Sequence, residues 1–118
     1  MTQNITPENL ANFYGSEQTY FRPIARDWKY TEGIKFLSDN GASWLVDAIL
    51  SHLKHTRKLF GQDFIVAKLK VKDRSAMLTF DDGNGNILAR QKIEYTDFPL
   101  KEISIYCENN MLMLPSER

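Results

Sequence analysis

The sequence predicts an α+β fold, with two or three N-terminal helices packed on one face of a four- to five-stranded antiparallel meander. Three observations carry this expectation. Between Phe64 and Leu114 apolar and polar residues alternate in short runs, the period of a half-buried strand. The run Asp82, Gly83, Asn84, Gly85 interrupts them with residues that tolerate positive φ, as a tight hairpin requires. Upstream, Ser43 to Lys58 carries a broad apolar stripe at helical spacing, which suits it to cover the oily face of such a sheet. The 118 residues read as a single domain, with a helical half over 6–60 and a sheet over 64–114.

Thr6 followed by Pro7 is a helix start, because a hydroxyl can cap free amides while proline takes the first turn without losing a needed donor. Leu10, Phe13 and Tyr14 then share a face, and Gly15 stops the helix. From Ser16 to Tyr30 the pattern is irregular and aromatic, and it reads as a loop or an extended edge segment. Thr31 is placed to cap a second helix bearing Ile34, Phe36 and Leu37, with Gly41 after Asn40 as its terminator. In the main helix Trp44, Leu45, Ala48, Ile49 and Leu53 form the stripe, widened by Val46 and Leu50.

The first strand of the meander sets Ile65, Ala67, Leu69 and Val71 against Val66, Lys68, Lys70 and Lys72, so a lysine row faces water. After a turn at Lys72 to Ser75, Ala76, Leu78 and Phe80 line one face of the second strand. The third sets Ile87, Ala89, Gln91, Ile93 and Tyr95 opposite Leu88, Arg90, Lys92 and Glu94. Ile103, Ile105 and Cys107 mark a fourth, Glu108 to Asn110 a turn, and Met111 to Leu114 a short fifth strand.

Fifteen basic residues balance fifteen acidic ones, and neither half of the chain is a charge reservoir, which argues against non-specific nucleic-acid binding. The small cluster Lys54, His55, Arg57 and Lys58 reads as a helix C-terminus opposing the macrodipole. One cysteine, Cys107, excludes an intramolecular disulfide. Met1 to Leu10 has no signal-peptide pattern and no apolar run approaches spanning length, so a cytoplasmic protein without membrane contact is expected.

No complete catalytic motif is present. His52 and His55, three apart, lack further ligands, so neither a metal nor another cofactor is expected. Gly83, Asn84 and Gly85 join two strands and precede no helix, which makes them a turn rather than a phosphate loop. Glu32 and Asp97 each follow a tyrosine by two residues, Tyr30 and Tyr95, at an element junction. Brought into one cleft they would make an acid–base pair with a phenolic donor; as turn braces they would do no chemistry. The aromatic segment with Tyr20, Arg22, Trp28 and Tyr30 is the best candidate for recognition, because aromatics and arginine dominate binding hot spots.

Several segments carry a resemblance: Glu17, Tyr20 and Arg22, then Tyr30 to Gly33, Trp44 to Ile49, Arg74 to Thr79, Ile93 to Leu100 and Leu114 to Glu117. Together they resemble a family of small bacterial, plasmid and phage proteins classed as a domain of unknown function. The resemblance implies an accessory gene product on mobile DNA and transfers no catalytic residue.

The functional expectation is therefore a small non-enzymatic binding protein acting through protein contacts, with Tyr20, Arg22, Trp28, Tyr30, Glu32 and Asp97 as the binding residues. Its partner is an unidentified protein or a second copy, the copy pairing along an exposed edge strand at Phe64 to Val71 or Met111 to Leu114. The alternatives are an enzyme with a Glu/Asp plus Tyr site, and a nucleic-acid binder. The latter requires Lys54 to Lys58 and the lysine-bearing strand to form one continuous surface.

Overall fold

The computed structural model describes residues 4–14 and 18–118. Gly15, read as a helix stop, and Glu17, one of the residues carrying the resemblance, lie outside the described residues. The elements run α1 (Pro7–Ala11), β1 (Tyr20–Arg22), β2 (Ala25–Tyr30), α2 (Glu32–Leu37), a bend (Ser38–Ala42), α3 (Ser43–His55), β3 (Phe64–Lys72), β4 (Ser75–Asp81), β5 (Ile87–Ile93), β6 (Glu102–Glu108) and β7 (Met111–Met113). Among the described residues these strands form one seven-stranded mixed sheet in the order β1-β2-β7-β6-β3-β4-β5.

The class is α+β as expected, but the sheet is larger than four or five strands and is not purely antiparallel. The aromatic segment supplies the difference, since β1 and β2 form a hairpin whose second strand runs parallel to β7, with Lys29 opposite Met111 and Tyr30 opposite Leu112. This also corrects the edges. Phe64 to Val71 lies between β4 and β6, and Met111 to Leu114 lies beside β2 and β6, so neither expected edge strand is free to pair with a copy. The edges are β1 and β5.

The turns follow from local chemistry. Asp73 and Arg74 both take positive φ between Lys72 and Ser75, and so do Asn109 and Asn110 between Glu108 and Met111. Two-residue connections of this hand match the twist of the strands they join. Asp82 organises the longer β4–β5 loop. One of its carboxylate oxygens accepts from the N–H groups of Asn84 (2.9 Å) and Asn86 (3.3 Å), and the other from the Asn86 side chain (2.8 Å). These bonds hold the Asp82 carboxyl below its ordinary pKa.

In the α2–α3 bend Gly41 takes φ 102°, a conformation costly for any residue with a Cβ, so the expected terminator does its work. Thr6 Oγ1 accepts from the Asn9 N–H and caps α1 as read. Thr31 does not cap α2 with its own side chain. Its hydroxyl donates to Glu117 (2.6 Å), and the other Glu117 oxygen accepts from the Gly33 N–H (3.1 Å), so the cap comes from the far end of the chain.

The core lies between the helices and one sheet face. Leu45, Val46, Ile49, Leu50 and Leu53 of α3 are buried, joined by Ile34 and Leu37 of α2 and by Ile65, Ala67, Leu69, Leu78, Phe80, Ile105 and Cys107 of the sheet. Trp44 and Ala48 sit at the margin of the stripe rather than at its centre. A bulge opposite Phe80 and Asp81 corrects the reading of the third strand: Leu88 packs against the core while Ile87 is exposed. Tyr95, beyond the strand end, is 66% exposed, and Tyr14 is likewise exposed. Among the described residues no helix is long and apolar enough to cross a membrane.

Candidate functional site

Most of the aromatic segment is occupied within the fold. Tyr20 stacks on Tyr30 at 5.9 Å, and Tyr30 is buried. Arg22 lies over the Tyr30 ring and donates to Ser38 Oγ (2.8 Å) and Ser43 Oγ (3.1 Å), binding β1 to both sides of the α2–α3 bend. Its Nε stands 3.0 Å from Asp47 Oδ1, near enough for a charge contact but off the line a hydrogen bond needs. These three side chains work as a clamp, which leaves little of them to greet a partner.

Glu32 and Asp97 do not meet. Glu32 opens α2 directly after β2, whereas Asp97 follows Thr96, whose N–H donates to the Arg74 carbonyl at the β3–β4 turn. β2 and β5 are separated in the sheet by β7, β6, β3 and β4.

Trp28 is the exception in the aromatic segment. It lines a cleft of about 460 Å³ with Asp27, Lys54, Phe60 and Asn110. Lys54 donates to Asp27 (2.8 Å), and this bond lowers the Asp27 pKa. The pair also consumes one charge of the Lys54–Lys58 cluster. Cys107 lies behind the floor of this cleft at 1% exposure, and burial pushes its thiol pKa far up. Thiol reagents should therefore modify Cys107 only as fast as the chain unfolds. Rapid labelling of the native protein, followed by absorbance, would contradict that burial.

His52 is committed as well. Gln91 Oε1 can only accept, so Nε2 donates to it (2.8 Å) and Nδ1 accepts from the Thr56 hydroxyl (2.8 Å). Among the described residues no group of three or more histidines, cysteines or carboxylates is placed to hold a metal.

The sheet face turned away from α2 and α3 is chemically different. Strand register aligns Arg90, Thr79, Lys68 and Ser104 in one row across β5, β4, β3 and β6, and Lys92, Met77, Lys70 and Glu102 in the next. Lys72 extends the lysine file of β3. Among the described residues none of Lys68, Lys70, Lys72, Arg90 or Lys92 forms an ion pair with an acid within 4.0 Å; the same face carries Glu102 opposite Lys70, Asp81 opposite Val66 and Glu108 opposite Phe64. Thr79 and Met77 of β4 separate the lysines of β3 from Arg90 and Lys92 of β5.

The nucleic-acid alternative required Lys54 to Lys58 to be continuous with the lysine strand. Lys54 and His55 end α3, Arg57 and Lys58 lie in the turn that follows and packs beside β5, and on the open face the lysine row is continued by Arg90 and Lys92. Their alternation was readable in β5. What joins them to Lys68 and Lys70 is the order β3-β4-β5, which the two hairpin turns dictate. At the other end of the face Phe64 and Tyr106 meet edge to face at 5.1 Å, and the Arg118 guanidinium lies 4.5 Å from the Phe64 centroid and 5.7 Å from that of Tyr106. Glu108 holds Arg118 through both carboxylate oxygens (3.1 and 3.3 Å).

Residues 4–118 match the model of a family of unknown function (DUF6876). No curated protein and no solved structure matches the chain.

Proposed function

Since the chain belongs to the DUF6876 family, whose function is unknown, we propose its role from its own geometry: it is a non-enzymatic binding protein that holds an anionic macromolecule on the open face of its sheet. The observation that carries this reading is the cation set Lys68, Lys70, Arg90 and Lys92, gathered on one face of a formally neutral chain and, among the described residues, closing no ion pair within 4.0 Å. Net charge averages over the whole surface, whereas binding depends on the charge a partner meets locally.

The same charges oppose self-association. β5 is a true edge, but a second copy paired along it would bring Arg90 and Lys92 beside their own counterparts. Protein contacts through Tyr20, Arg22 and Tyr30 are disfavoured because those side chains already bind one another and the α2–α3 bend. A cytoplasmic setting and an accessory role on mobile DNA, the latter implied by the family resemblance, belong to the same proposal.

Heparin, a polyanion without bases, tests the charge argument. Binding should fall steeply between about 50 and 200 mM salt, and changing Lys68, Lys70, Arg90 and Lys92 together to glutamine should weaken it about tenfold or more and flatten the salt slope. Equal binding by the parent and the substituted chain in a polarisation titration, or no binding by the parent at low salt, would remove the proposal.

A further inference from the structure

We infer that the anionic partner is a single-stranded nucleic acid, with its phosphates over Lys68, Lys70, Arg90 and Lys92 and a base stacked on Tyr106 and the Arg118 guanidinium. This inference rests on the polyanion reading above and adds the chemistry of the bases to it. The face combines two kinds of group that polyanion binding alone does not need together.

Cations answer phosphates. The Phe64–Tyr106 pair, with Arg118 layered on Phe64, answers something flat and apolar. Both features lie on the same side of β3, the cations from Lys68 onward and the aromatic pair at the Phe64 end. Phe64 and Lys68 are four residues apart along this strand, a span of roughly 13 Å at strand rise. A short run of nucleotides therefore reaches from one to the other.

The shape of the face selects the strandedness. A duplex hides its bases and is read by an element that enters a groove, usually a protruding helix or ribbon. A sheet face that carries half-buried aromatic rings beside an arginine suits splayed bases, which stack on aromatic rings and on arginine planes. Arg118 is pre-ordered for that role. Both of its contacts with Glu108 lie in the guanidinium plane, which stands over the Phe64 and Tyr106 rings, and its side chain remains half exposed.

The test uses the whole chain and labelled oligothymidylate and oligouridylate of about 12 nucleotides. Arg118→Lys keeps the charge and removes the plane, and Tyr106→Leu removes the ring. Each should weaken single-strand binding about tenfold while heparin binding stays unchanged, and a duplex of the same length should compete poorly. Thermal melts check that both variants fold, and Arg118→Lys carries the test if Tyr106→Leu does not. Single-strand affinity equal to the parent's in the folded variants, or duplex competing as well as single strand, would overturn the inference. Retained heparin binding in that case would leave the broader polyanion reading standing, and its loss would take both.

Discussion

Replacing Phe80 with alanine is expected to lower the unfolding free energy by about 4 kcal/mol, near the top of the range for single core substitutions. The ring is fully buried in β4, with Ala67 opposite it on β3, Ala89 opposite it on β5, and the His52 ring of α3 at 4.8 Å. Two flanking alanines make room for the ring and for the same reason cannot fill its place. The loss should also release His52, since Gln91, its partner, lies two residues from Ala89 in β5. At roughly 4 °C per kcal/mol for a chain of this size the melting temperature should drop by about 15 °C. A fall of only a few degrees in a calorimetric scan would mean that the helices do not close on the sheet as described.

Glu117→Ala is the second large effect, at about 3 kcal/mol. The carboxylate accepts from the Thr31 hydroxyl (2.6 Å), the Leu114 N–H (3.0 Å) and the Gly33 N–H (3.1 Å), and Thr31 is 6% exposed. Removing it strands buried donors, which costs more than the bonds themselves contribute. Thr31→Val deletes one of those donors, so the double variant should be less destabilised than the sum of the two single changes. Additivity in a denaturant double-mutant cycle would deny the latch. The latch also explains Gly33: a Cβ there would come within 2.7 Å of Leu114 Cδ1 and 2.8 Å of Glu117 Cδ, leaving no room for a methyl group.

What the sequence disclosed follows the distance between partners. The hairpins at Asp73–Arg74, Asp82–Gly85 and Asn109–Asn110 and the α3 stripe are local, and each appears where its pattern puts it. β1 and β2 were not legible because Phe21 and Arg22 straddle a register shift that breaks the alternation, and their sheet membership depends on a parallel neighbour some eighty positions away. Thr31 looked like an ordinary cap because its true acceptor is 86 residues downstream. The aromatic segment is hard to weigh from sequence for a related reason. Tyr20, Arg22 and Tyr30 have the composition of a hot spot, but composition does not reveal whether an aromatic faces a partner or its own fold. The cation rows were present as two separate alternations, and only the strand order merges them.

The seam between β2 and β7 has a consequence for biosynthesis. Lys29 and Tyr30 enter the main sheet through Met111 and Leu112, and α2 is capped by Glu117. A nascent chain leaves the ribosome with its N-terminal part first, so β2 and α2 emerge before the strand that pairs with one and the carboxylate that caps the other.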